Sequence, residues 1–193
     1  SKLNEIHGAV EITKDAISED EKHLRSRLKF MIDTYKQPVL VEEFIAGREI
    51  TAIVLEGFNK KVYLAEKKFD HSEGKYVFAT FDAQWTDDES AGFHYEKYDD
   101  PILREMLKKV FEVTKMDDYG KIDIRLDASG RYYLIDCNTN PAFGPKELEC
   151  AIANILGLYD INFYDILKRL LTNTMRDAAG KQLLPFPGNG EVS

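Results

Sequence analysis

The chain reads as an α+β fold on three observations. Extended segments PVLVEEFI, REITAIVLEG and KVYLAEKKF follow one another with glycine punctuation at Gly47 and at Gly57-Phe58-Asn59, the pattern of an antiparallel meander. A second pair, KIDIRLD and RYYLIDCN, is joined around Ser129-Gly130 as a hairpin. The remaining long segments carry apolar stripes at helical spacing.

Taken in order, GAVEIT at 8–13 reads as a short strand. Ser18 and Glu21 form an S-x-x-E capping box ahead of a helix whose Leu24, Leu28, Met31 and Tyr35 share one face, and Pro38 closes it. The three meander strands come next. KYVFATFDAQW is a fourth extended segment, and the acidic TDDESAG after it reads as a loop. Asp100 and Pro101 make a helix start, because proline at the first helical position lacks only an N–H that would be unpaired anyway. Ile102, Leu103, Met106, Leu107, Val110 and Phe111 supply its buried stripe. The hairpin follows, then helices over 145–156 and 162–178 and a Gly/Pro-containing tail. The organisation expected is two lobes, 1–80 and 81–193.

Composition narrows the function classes. Hydrophobic content of 44% with 31% charged residues describes a soluble globular chain. A net charge of -8 argues against nucleic acid as partner, since phosphate backbones demand basic excess. No apolar run approaches the roughly 20 residues of a membrane-spanning helix. Two cysteines, Cys137 and Cys150, are too few for a disulfide scaffold and fit a reducing compartment, so the expected location is the cytoplasm. The four histidines, His7, His23, His71 and His94, show no ligand spacing.

The informative stretch is the hairpin. Alternation along KIDIRL puts Ile122, Ile124 and Leu126 on one face and Lys121, Asp123 and Arg125 on the other. Asp136 and Asn138 likewise share a face, opposite Ile135 and Cys137. A two-residue turn at Ser129-Gly130 sets Asp123 across from Asp136. Facing carboxylates repel unless a cation lies between them. Two carboxylates and an amide oxygen suit Mg²⁺, which favours carboxylates plus substrate phosphates. Lys121 and Arg125 flank the patch and could hold anionic oxygens. The competing reading is a solvated sheet face carrying ordinary surface charges.

The run KIDIRLDASGRYYLIDCNTNPAFGP resembles the ATP-grasp ligases, in particular their D-alanine–D-alanine ligase branch. The resemblance implies that Asp123, Asp136 and Asn138 coordinate two Mg²⁺ ions, or Mn²⁺ in their place, bridging the phosphates of ATP. The family usually has Glu where this chain has Asp136. It further implies that Lys121 stabilises the transition state, and that the Ala142 amide serves where a glycine amide lines the oxyanion site.

Upstream, PVLVEEFIAGREITAIVL resembles the family's adenine-binding hinge. By that likeness Glu42, Glu43, Phe44 and Ile45 lie against adenine, with the Glu43 and Ile45 backbone bonding its edge, and Glu49 holds the ribose hydroxyls. FDAQW resembles a strand that carries a phosphate-contacting lysine, with Gln84 at that lysine's place; Lys67 or Lys68 could substitute. The C-terminal helices also resemble that family.

The implied fold is ATP-grasp, antiparallel sheets in two lobes with flanking helices. The implied activity is ATP-dependent ligation of a carboxylate to an amine or thiol through an acyl phosphate. Two other readings stay open: a non-catalytic nucleotide-binding module, and a kinase acting on a hydroxyl. Relatives begin with a substrate-side domain and a Gly-rich phosphate loop, so a missing N-terminal domain is expected, and the chain alone is expected to bind nucleotide without turnover. Glu147 falls where dipeptide-forming relatives place a small hydroxyl residue, which argues against a carboxylate-bearing second substrate. A homodimer is left open.

Overall fold

The computed structural model describes residues 2–3, 12–56, 59–70, 76–81 and 92–180. Strands β1 (Lys2–Leu3) and β2 (Val39–Leu40) pair antiparallel, Lys2 with Leu40 and Leu3 with Val39. Five further strands form one sheet: β3 (Arg48–Leu55), β4 (Lys61–Phe69), β5 (Phe93–Lys97), β6 (Tyr119–Leu126) and β7 (Tyr132–Asn138), in the order β5-β4-β3-β6-β7. Among the described residues four α-helices accompany them: α1 (Glu21–Tyr35), α2 (Pro101–Val113), α3 (Ala151–Gly157) and α4 (Phe163–Gly180). Helices and an antiparallel sheet in this arrangement are the α+β class.

Several boundaries differ from the sequence-based expectation. PVLVEEFI contributes only the two residues of β2, and these pair with β1; 41–46 has no regular structure, so the meander reduces to β3 and β4. Those two run antiparallel from Ile50 opposite Glu66 to Leu55 opposite Lys61, as expected. Helix α1 is capped by Asp20 and not by Ser18: the Asp20 carboxylate accepts the His23 amide at 2.7 Å. Asp20 is a better acceptor there because its charge also favours the positive helix end. The helix ends where Lys36 turns left-handed and donates to the Ile32 carbonyl, two residues before Pro38. Of GAVEIT, residues 8–11 lie outside the described residues, and Ile12 and Thr13 are not strand.

Strand β5 falls just after the TDDESAG segment, where the sequence reading assigns no element, although Phe93 and Tyr95 alternate with His94 and Glu96. Helix α2 begins as expected, with Asp100 accepting the Leu103 amide at 2.8 Å and Pro101 following. Leu103, Leu107 and Phe111 are buried, but Ile102 is 80% exposed. Three buried positions spaced by four define a narrow stripe, and Ile102 stands about 100° round from Leu103. The helix expected from 145 starts only at Ala151, because Glu149 is left-handed after a single 3₁₀ turn at Lys146–Leu148.

The chain divides into two compact units. One comprises Ser1–Arg48, Lys67–His94 and Leu126–Arg131; the other comprises Glu49–Glu66, Tyr95–Arg125 and Tyr132–Ser193. In the second, Ile53, Leu55 and Ala65 of the sheet pack on Ile152, Ile155 and Leu156 of α3 and Ile166 of α4. Arg169 of α4 ties that helix to the β3 end, donating to the carbonyls of Leu55, Glu56 and Asn59. One guanidinium thus supplies donors to three carbonyls. In the first unit Gly47 is irreplaceable: its φ is +145°, and a Cβ there would lie 2.0 Å from the Leu126 carbonyl oxygen. No helix among the described residues is long and apolar enough to cross a membrane.

Candidate functional site

Strands β3 and β6 are neighbours in the sheet, and the side chains that meet across them form a graded surface in the second unit. At one end Ile53 and Leu55 enter the apolar cluster against α3 and α4, with Tyr119 and Phe143 packed beside them. Toward the other end the same alternation brings up Thr51 and Glu49 on β3 and Asp123 and Arg125 on β6. Cross-strand bonds join them. Thr51 Oγ1 donates to Asp123 Oδ1 at 2.8 Å, and Arg125 Nη1 donates to Glu49 Oε1 at 2.8 Å.

These groups are shielded from solvent. Thr51 is 0% exposed, and the Arg125 and Glu49 side chains are 7% and 15% exposed. Burial pushes the Arg125 guanidinium down from its ordinary value, while the charge and the hydrogen bond of Glu49 oppose that shift. An arginine stays protonated under such pressure, so the pair is ionic. Lys121 adds a second cation: its ammonium sits on Asp123 Oδ2. Asp123 thus has a different partner on each oxygen.

The hairpin closes differently from the two-residue turn expected. The Gly130 amide donates to the Asp127 carbonyl and the Asp127 amide to the Arg131 carbonyl, so three residues, 128–130, form the turn. Gly130 takes φ +84°, the left-handed position that a three-residue hairpin assigns to glycine. The Asp127 carboxylate stabilises it, accepting from the Ser129 and Arg131 amides, the Ser129 hydroxyl and the Arg131 guanidinium. Asp127 therefore pairs with Arg131, one step from the register that the shorter turn would set. The turn by itself no longer places Asp123 opposite Asp136.

Other features bear on that pair. Burial pushes the Cys137 thiol up, and the charges of Asp136 and Asp123 add to the rise. Asp136 is exposed, as is Ile135 on the opposite face of the strand. Asn138 is half-buried, and its Oδ1 accepts the Asn140 amide at 2.9 Å. Ala142 is exposed in the irregular segment after β7. Among the described residues no three His, Cys, Asp or Glu side chains cluster in a way that could hold a metal unaided.

The remaining expected site residues belong to the first unit or lie outside the description. Glu42 and Glu43 are exposed, and Ile45 is half-buried. Phe44 is half-buried, edge-on to Tyr76 at 5.1 Å and Phe78 at 5.9 Å between ring centres. Lys67 is buried with its ammonium 5.2 Å from the Phe93 ring. Gln84 lies outside the described residues. Sequence reasoning missed Thr51, which reads as an unremarkable strand threonine, and missed that Glu49 and Arg125 are partners. A cavity of about 560 Å³ lined by Leu55, Tyr63, Arg169 and Asn173 contains none of the expected site residues.

Known proteins resemble the chain over most of its length. The family model described as D-ala D-ala ligase C-terminus matches residues 16–172. The D-alanine–D-alanine ligase B of Clostridium perfringens is 30% identical over 135 residues, which is 69% of this chain and 42% of the relative. The D-alanine–D-alanine ligase of Idiomarina loihiensis is 26% identical over 141 residues, 73% of this chain and 43% of the relative. The chain thus spans less than half the length of these relatives. A crystal structure of the Bacillus anthracis ligase superposes with TM-score 0.63 at 17% identity, over 84% of this chain and 51% of that one. The same ligase complexed with ATP gives TM-score 0.60 at 18% identity, over 84% and 49%. The shared fold is ATP-grasp, within the α+β class. The chain belongs to the family defined by the D-ala D-ala ligase C-terminus.

Proposed function

We propose that the chain is part of an ATP- and Mg²⁺-dependent ligase that joins a carboxylate to an amine through an acyl phosphate. The observation that carries this reading is Lys121 seated on a half-buried Asp123 inside the span that matches the ligase family. A carboxylate that already holds a cation, in a set completed by Asp136 and Asn138, fits a hard divalent ion by its donor chemistry. Such a set, lacking a third acidic ligand, calls for phosphate oxygens to complete it. Metal and nucleotide are therefore expected to bind together. When bound, the ion neutralises charge on the phosphates and orients them.

The chain's own residues supply the rest. Lys121 and Arg125 bring positive charge to the strand face where anionic oxygens would gather. Glu49 is the candidate ribose acceptor, and the Phe44 neighbourhood is the candidate apolar wall for adenine. In the reaction a carboxylate oxygen bonds to the γ-phosphorus as ADP leaves; the amine then attacks the acyl carbon, phosphate leaves and the amine loses a proton. Glu147, exposed on its 3₁₀ turn, disfavours an amine that itself carries a carboxylate nearby. The same reading places the enzyme in the cytoplasm, where ATP is available and the free thiols of Cys137 and Cys150 persist.

Hydroxylamine trapping in the full-length protein tests the proposal. With ATP, Mg²⁺ and a panel of small carboxylates, an acyl hydroxamate should form in step with ADP. ADP release coupled to phosphorylation of a hydroxyl, with no hydroxamate from any carboxylate, would overturn it.

A further inference from the structure

Asp123 is held asymmetrically, and the asymmetry separates what can move from what cannot. Its Oδ1 accepts the hydroxyl of Thr51, which is 0% exposed on a central strand with neighbours on both sides. Thr51 is β-branched, so its χ1 is stiff, and its own backbone lies in register opposite Ala65. Its hydroxyl therefore points from a rigid base. The partner on Oδ2 is the ammonium of Lys121, at the end of a long chain that exchanges partners readily.

We propose that Thr51 is a positioning residue for the cation site: it pins Asp123 Oδ1 so that Oδ2 alone is presented to a divalent ion, in exchange for Lys121. This rests on the reading of Asp123 as a metal ligand given above. Without the pin, the carboxylate can turn about χ2 and offer both oxygens to Lys121, which then competes with the ion. Oδ1 would also lose the Thr51 donor, which favours a rotated carboxylate. Groups that orient a metal ligand in this way typically change metal affinity by about 10–100-fold when removed.

The test measures binding by calorimetry, with the non-hydrolysable analogue AMP-PNP titrated into the full-length protein at a series of Mg²⁺ concentrations and in EDTA. Thr51→Val keeps the shape and removes the donor. It should raise the Mg²⁺ concentration for half-maximal binding by about 10-fold or more, with binding in EDTA unchanged within about twofold. Thr51→Ser, which restores a hydroxyl, should recover most of the loss. If Thr51→Val does not fold, Thr51→Ala is read in the same way. A Mg²⁺ dependence unchanged by the loss of the hydroxyl, or an equal loss with and without Mg²⁺, overturns the assignment. Asp123→Asn separates the two levels. If it abolishes the Mg²⁺ dependence while Thr51→Val does not, only the Thr51 assignment falls; if it too leaves the dependence intact, the metal reading falls with it.

Discussion

Replacing Glu49 with alanine should unfold more of this protein than it disarms. Its carboxylate is the 2.8 Å partner of Arg125, and the side chains are only 15% and 7% exposed. Removing one member of a buried pair strips a shielded charge of its partner in that pair, a loss of about 3–5 kcal/mol. For a domain of this size that corresponds to roughly 6–20 °C in Tm. The assay is thermal and urea unfolding of the parent, Glu49→Ala, Arg125→Met and the double variant. Removing both charges lets the site close with apolar volume, so the double variant should be clearly more stable than Glu49→Ala. A coupling energy below about 0.5 kcal/mol across the four proteins would refute the reasoning, since residues in direct contact couple by more than that. The same set separates two roles for Glu49. If it also holds the ribose, the double variant will stay weak for ATP but lose its preference over a deoxyribose analogue.

Three further outcomes are expected. Gly47→Ala should cost more than about 2 kcal/mol in urea unfolding, because its φ of +145° and the Leu126 carbonyl 2.0 Å from a Cβ both oppose a side chain. Leu107→Ala, at a position with 0% exposure on α2, should cost about 2–5 kcal/mol, whereas Ile102→Ala on the exposed side should stay within about 0.5 kcal/mol. The Tyr132 hydroxyl first, then the Leu103 amide, hold the Asp100 carboxyl below its ordinary value. A depressed folded value means that its contribution is complete above the unfolded carboxylate pKa of about 3.9 and fades as pH falls toward the folded one. The Tm difference between the parent and Asp100→Asn should accordingly be constant from pH 5 to 7 and shrink below pH 4; a difference that grows on acidification would contradict the assignment.

Much of this protein was legible without its structure, wherever the controlling interactions are local. Helix α2 could be placed because Asp100, Pro101 and a repeat of Leu103, Leu107 and Phe111 act within one or two turns. Strands β3 and β4 and the β6–β7 hairpin could be placed because period-two alternation and glycine turns are equally short-ranged. The same alternation put Lys121, Asp123 and Arg125 on one face. Finer local detail was lost where neighbours compete: Asp20 took the cap from Ser18, and the Asp127 carboxylate settled a three-residue turn where two residues were expected. What only the folded chain decided is who stands beside whom. That β6 lies against β3 brings Asp123 to Thr51 across 72 positions and Arg125 to Glu49 across 76. Neither partner announces itself in sequence, because pairing between non-consecutive strands is selected by the burial of the whole sheet and by no signal inside either strand.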